Sequence, residues 1–286
     1  MRLDAGTLFG HVPRALYHRW IEVGPDGRTH LANRSLLVED GDRRVLLEAG
    51  IGAFFGPSLR RRYGVEDSHH ALVRALAARD LSDADIDWVI LSHLHFDHAG
   101  GLLAPYAEGE EPRLLFPRAR FLVSRDAWER SRSPHQRDQA SFIEALPPLL
   151  RESQRLAVVD DSTAATRLLG ERFRFRLSHG HTPGMLHTTV IGETANVFFG
   201  ADLVPGRAWV HLPVTMGYDR HAERVVDEKA QLYRETELSR TVFFYTHDPE
   251  VAASRVEIED GKYKAHDPMP RIDGWDVDRT ERPTRT

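Results

Sequence analysis

Cysteine is absent from the 286-residue chain. Disulfides and thiolate-bound zinc are therefore excluded, and any transition metal must be held by histidine and carboxylate. A basic excess is also missing. Lys and Arg number 38 against 43 Asp and Glu, a net charge of -5, so bulk charge offers nothing to a polyanion. The short run Arg60-Arg61-Arg62 reads as solvated surface. No apolar stretch approaches the roughly 20 residues that a membrane-crossing helix needs. The opening Met1-Arg2-Leu3-Asp4-Ala5-Gly6 has no basic segment followed by an apolar core, so a secretory leader is not expected. These absences lead us to expect a cytoplasmic protein acting on a small molecule, with no nucleic-acid or membrane partner and with room for a homodimer.

What is present is an ordinary globular balance of 41% hydrophobic and 28% charged residues, enough for one domain with additions. Its most informative stretch is Ser92-His93-Leu94-His95-Phe96-Asp97-His98-Ala99-Gly100-Gly101, with four metal-capable side chains inside six positions. A lone histidine is usually a surface or satisfied core residue. Four such groups crowded together carry an electrostatic cost unless a cation neutralises them. The apolar Asp87-Trp88-Val89-Ile90-Leu91 precedes them and reads as a buried strand, so the loop is aimed by a rigid sheet. There His93 and His95 can face one ion while Asp97 and His98 face a second.

Elsewhere the pattern alternates strands with helices. Ser35–Glu39 and Arg43–Glu48 read as a hairpin across Asp40-Gly41-Asp42. Glu48, at its end, either brace a ligand ring through the ring's other nitrogen or lies exposed; both readings stand. Leu72, Val73, Leu76 and Ala77 have helical spacing, and the adjacent His69 and His70 read as surface residues. Gln139 to Leu150 reads as a helix interrupted by Pro147-Pro148. Phe173–Leu177 alternates as a half-buried strand and runs into Ser178-His179-Gly180-His181-Thr182-Pro183-Gly184. Thr188–Ile191 and Asn196–Phe199 read as a second hairpin, leading to Gly200-Ala201-Asp202. Trp209–Pro213 reads as a packing strand or a pocket rim, Ala222 to Leu238 as a charged helix, and Thr241–Tyr245 as a buried strand ending at Thr246-His247-Asp248.

The H-x-H-x-D-H loop resembles the signature of the metallo-β-lactamase-fold superfamily, and within it the lactonase and methyl-parathion-hydrolase-like branch. The resemblance implies an αββα sandwich of two mixed β-sheets flanked by helices. It implies seven ligands: His93, His95 and His181 on one metal, Asp97, His98 and His247 on the other, and Asp202 bridging. G-H-T-P-G resembles the family's third histidine motif, which selects His181. The resemblance further implies two divalent ions, zinc first, with iron, manganese or cobalt also suited to these donors. It implies a metal-bound hydroxide that attacks a small ester, lactone or phosphotriester, with Asp97 and Asp202 as the catalytic carboxylates. The alternatives are a glyoxalase II-like thioester hydrolase and a mononuclear iron redox enzyme of the same fold. One position departs from the pattern: acyl-homoserine lactonases carry a Tyr three residues after the bridging Asp, and here Pro205 stands there. We expect a single catalytic domain over 1–267, with 1–30 and an insertion at 102–172 as pocket walls. Phe54, Trp209 and His211 are the expected substrate-pocket residues, and 268–286 a loosely ordered tail.

Overall fold

A computed structural model describes residues 1–279. Within the span expected as one domain, the chain divides into two compact units. The first comprises Met1–Arg2, Asn33–Asp161 and Gly184–Leu186; the second comprises Leu3–Ala32, Ser162–Pro183 and, of the described residues, 187–279. Near the start, β1 (Arg2–Asp4) and β2 (Arg28–His30) form a two-stranded sheet.

The first unit is built on five strands: β3 (Leu36–Asp40), β4 (Arg43–Leu47), β5 (Trp88–Ile90), β6 (Arg120–Ser124) and β7 (Leu156–Val159), in the order 3-4-5-6-7. The expected hairpin joins β3 to β4, with Asp40 opposite Arg43. From β4 onward the pairing is parallel. Parallel strands are covered on both faces and so read as apolar runs rather than alternations. Leu46, Leu47, Val89, Ile90, Phe121, Leu122 and Val123 are accordingly all buried. Because β4 and β5 run parallel with Leu47 opposite Ile90, the residues that follow each strand emerge side by side at one sheet edge. That is where open α/β sheets place their sites.

The second unit carries β8 (Phe173–Ser178), β9 (Met185–Val190), β10 (Asn196–Phe199), β11 (Thr241–Phe244), β12 (Ala253–Glu259) and β13 (Lys262–Met269), ordered 13-12-11-10-9-8. The β9–β10 hairpin is antiparallel, whereas β10 and β11 run parallel with Phe199 opposite Phe244. Gly200–Asp202 and Tyr245–His247 therefore leave the sheet together. The helix Ala222–Glu235 buries Val225, Leu232 and Tyr233 along one stripe.

Several expectations are corrected. The segment 102–172 is no insertion, since it supplies β6 and β7 of the first sheet. It does line a cavity of about 470 Å³, walled by Trp128, Phe142, Pro147, Arg132 and Arg151 among others. Pro147 and Pro148 do not interrupt a helix. They open the one at Leu146–Glu152, where a missing N–H costs nothing. Trp209 lies in the short helix Arg207–Val210 rather than a strand. His70 is buried, not on the surface: its Nε2 meets the Gly101 carbonyl at 2.9 Å and its Nδ1 accepts from Val73 N. The tail expected from residue 268 is ordered at its start. Pro268 and Met269 belong to β13, Val277 O accepts from Thr194 N and Ala195 N, and Asp278 pairs with Arg172 at 2.7 and 2.8 Å. The remainder of that expectation, 280–286, lies outside the described residues.

Candidate metal centre

In the first unit the chemistry gathers where β4 and β5 end. His93 and His95 follow β5, His95 in extended backbone, and the short helix Phe96–Ala99 then carries Asp97 and His98. His93, His95 and His98 are buried, while Asp97 keeps 14% of its side chain exposed. His93 Nε2 lies 3.0 Å from His95 Nδ1. Two nitrogens bound tetrahedrally to one zinc at about 2.0–2.1 Å would be roughly 3.3 Å apart, so the pair is spaced for a shared cation.

Glu48 is fully buried just past β4, and its backbone adopts φ +62°. A left-handed glutamate is uncommon and costs energy, and such strain persists where surrounding structure imposes it. Here it turns the carboxylate inward. Oε2 accepts from His98 Nδ1 at 2.8 Å, and Oε1 accepts from the Ser92 hydroxyl. With its proton given to Glu48, Ser92 Oγ accepts from His93 Nδ1 at 2.9 Å. One carboxylate thus fixes the tautomer of two rings, His98 directly and His93 through Ser92. The bracing reading of Glu48 is the one the geometry supports; the part of Ser92 was not anticipated.

In the second unit the same logic recurs. Asp202 sits in the turn Ala201–Leu203, and Ala201 has φ +43°. Asp202 Oδ2 is 3.2 Å from His181 Nε2, and Oδ1 is 3.0 Å from His247 Nε2. One carboxylate faces two imidazoles with one oxygen each, which is the disposition a bridging ligand requires. The far nitrogens are occupied: His181 Nδ1 meets Asp219 Oδ1 at 2.8 Å, and His247 Nδ1 donates to the Ala32 carbonyl at 2.8 Å. Asp219 was missed in the sequence, because nothing in its surroundings there distinguishes it from a turn former; only the fold brings it to His181.

Two histidines are kept out of this set. His187 is buried with both nitrogens engaged, Nδ1–H on Gly200 O at 3.0 Å and Nε2 on Ser178 Oγ at 2.7 Å. Burial pushes its pKa down to about 3, so it stays neutral. His179 offers its backbone N–H to Glu228. Asp248 caps its own turn, accepting from Glu250 N and Val251 N, and pairs with Arg207 at 2.8 Å.

The donors suit a metal. Among the described residues, His93, His95, Asp97 and His98 each belong to a group of histidine and carboxylate atoms lying within 4.8 Å of one another, and so do His181, Asp202 and His247. Four of the five rings have Nδ1 held by protein, which turns Nε2 toward the other donors. Of the expected pocket residues, Phe54 packs against Phe55 with ring centres 4.1 Å apart and planes tilted by 34°. Trp209 is buried against Phe9 at 4.6 Å, and His211 meets Trp20 edge-on at 6.0 Å. These contacts make Trp209 a packing residue of the second unit. Phe142, not singled out in the sequence, stands edge-on to His95 at 4.8 Å and lines the 470 Å³ cavity.

Comparison with known proteins adds the following. The family model described as the metallo-beta-lactamase superfamily matches residues 28–247. A probable metal-dependent hydrolase from Staphylococcus aureus superposes with a TM-score of 0.81 at 22% identity, covering 93% of each chain. AidC, a dizinc quorum-quenching lactonase, gives 0.70 at 19% identity over 93% of this chain and 90% of its own. AbOPH, a hydrolase in the beta lactamase superfamily, gives 0.71 at 19% identity over 92% and 90%. At such identities the likeness is one of fold.

Proposed function

The chain belongs to the metallo-beta-lactamase superfamily, and from that premise we propose that it is a metal-dependent hydrolase of small esters, lactones or phosphotriesters. The proposal assigns His93, His95 and His181 to one cation and Asp97, His98 and His247 to a second, with Asp202 shared. Zinc is the first choice, because imidazole and carboxylate without thiolate suit it. The observation that carries the reading is Asp202, whose two oxygens address two histidines whose other nitrogens are already engaged.

Cations bound there would bring the pKa of water from about 15.7 toward 7 and polarise a carbonyl or phosphoryl oxygen. The chain's own residues do the rest. Glu48 and Asp219 keep His98 and His181 oriented and in one tautomer. Asp97, more accessible than Asp202, is placed to hold a proton and pass it to the leaving oxygen. The fold likeness to a dizinc lactonase and to AbOPH supports the reaction class. At Pro205 the chain has no phenol to address a lactone carbonyl. Its own carbonyl instead accepts from His247 N at 2.8 Å and Asp248 N at 3.1 Å, so the proposal spans esters and phosphotriesters as well as lactones.

Metal analysis of the purified protein should find close to two transition-metal ions per chain. Turnover should then appear on at least one member of a panel of γ-lactones, δ-lactones, aryl esters and aryl phosphotriesters. A folded protein that binds no metal and turns over none of them would overturn the proposal.

A further inference from the structure

We infer that Glu228 and Lys229, neighbours on the helix Ala222–Glu235, form a positioning pair for His181 and Asp219, one gripping backbone N–H groups and the other backbone carbonyls. Its consequence for metal binding rests on the function proposed above. Glu228 Oε1 accepts from His179 N at 2.7 Å, and Oε2 accepts from Gly180 N at 3.0 Å. Both amides lie just ahead of His181. The turn sits directly on the helix: a Cβ at Gly180 would come within 2.6 Å of Val225 N and 2.8 Å of Glu228 Oε2. Two further bonds hold it there, from His221 N to Gly180 O at 2.8 Å and from Arg220 N to His181 O at 3.2 Å.

Lys229 points elsewhere. Its side chain is fully buried, and Nζ donates to the carbonyls of Trp209, His211 and Val214 at 3.0, 2.9 and 2.7 Å. An ammonium has three N–H groups, and all three are spent on one stretch of backbone. That stretch joins Asp202 to Asp219, the partner of His181. Burying a cation is costly, and a well-packed apolar residue usually serves stability as well or better. What the lysine supplies instead is a fixed path for chain that has little regular structure of its own. Adjacent residues on one helix thus set both sides of a single contact, the ring of His181 and the carboxylate behind it.

Three variants test this. Glu228→Gln replaces one acceptor with a donor facing an N–H; Lys229→Met keeps the stem and removes the ammonium. Leu232→Ala is the control, since Leu232 is buried on the same helix at 2% exposure and touches neither stretch through a polar group. In metal-free protein, Glu228→Gln should speed amide exchange at His179 and Gly180 by about tenfold while distant core amides keep their rates. With zinc ion alone, competition against a chromophoric chelator should show each of the first two variants about tenfold weaker. Leu232→Ala should hold its affinity within about twofold at an equal or larger loss of Tm, because removing core packing need not move the ligands. Wild-type exchange and affinity in Glu228→Gln would overturn the inference, as would a Leu232→Ala variant that loses affinity in step with its Tm. Should Lys229→Met fail to fold, Glu228→Gln decides. Should no variant take up zinc, the proposed function falls, and the exchange rates of the metal-free protein still judge the pair.

Discussion

At Asp202 a single atom exchange separates the bridging role from a merely polar one. Asp202→Asn keeps the shape but replaces an oxygen facing an imidazole with an NH2 group. Metal content should fall and kcat should drop by about 100-fold or more; metal analysis and steady-state kinetics check it, and a near-normal rate would remove the bridge. His187 makes a different prediction, about pH. Its folded pKa of about 3 lies below the ordinary 6.5, through burial first, with Arg176 and His181 lowering it further and Asp202 and the Gly200 carbonyl opposing. Between those values the unfolded chain binds the extra proton, so this contribution is intact above pH 6.5 and is lost as pH falls below it. The slope for one proton is about 1.4 kcal/mol per pH unit. Urea titrations of metal-free protein from pH 7 to 5 should show His187→Gln shallower than wild type, by nearly that amount toward pH 5, and equal slopes would refute the assignment.

The elements explain why the site was partly legible. The donors are polar residues placed directly after apolar strands, a contrast that local sequence displays. His181 after β8, Asp202 after β10 and His247 after β11 were picked out through the family resemblance, and the H-x-H-x-D-H loop after β5 stood out by this contrast itself. Residues that brace them did not. Ser92, Asp219 and Lys229 acquire their roles from chain 15 or more positions away, except where Ser92 abuts His93. The reading of 102–172 as an insertion failed because β6 and β7 are short and separated by helical segments, and their membership in the sheet is a matter of pairing. The helix read from Gln139 to Leu150 failed for a narrower reason: a Pro-Pro pair reads as a break but also suits a first turn. Phe142, ahead of the helix Leu146–Glu152, carries a prediction. Phe142→Ala should raise KM by about tenfold, near 1.4 kcal/mol of binding lost from ground and transition states alike. A fall in kcat at unchanged KM would instead place the ring's role in holding His95.

For the whole molecule, two mixed sheets and their helices were expected from the family resemblance, whereas the segments that make up each compact unit were not foreseeable. Such a division depends on which distant segments share contacts, and each unit draws on three separate stretches of chain. Among the described residues no helix is long and apolar enough to cross a membrane. Ligand linkage applies to the molecule entire. At free zinc 100-fold above Kd, binding to the folded state alone adds about 2.7 kcal/mol, so stripping the metal with a chelator should lower Tm by roughly 4–5 °C for a chain of this length. Scanning calorimetry with and without added zinc measures it, and an unchanged Tm would mean that the folded chain holds no tightly bound zinc. One close approach bears on how this protein could be altered. At Gly101 any side chain would collide with the Ala49 carbonyl, and Ala49 N is bonded to the His98 carbonyl at 2.9 Å. The two strands of loop flanking Glu48 and His98 are therefore locked backbone to backbone. Libraries seeking new substrates will find that corner intolerant, and diversity is better invested around Phe142 and Arg151, where side chains border open space.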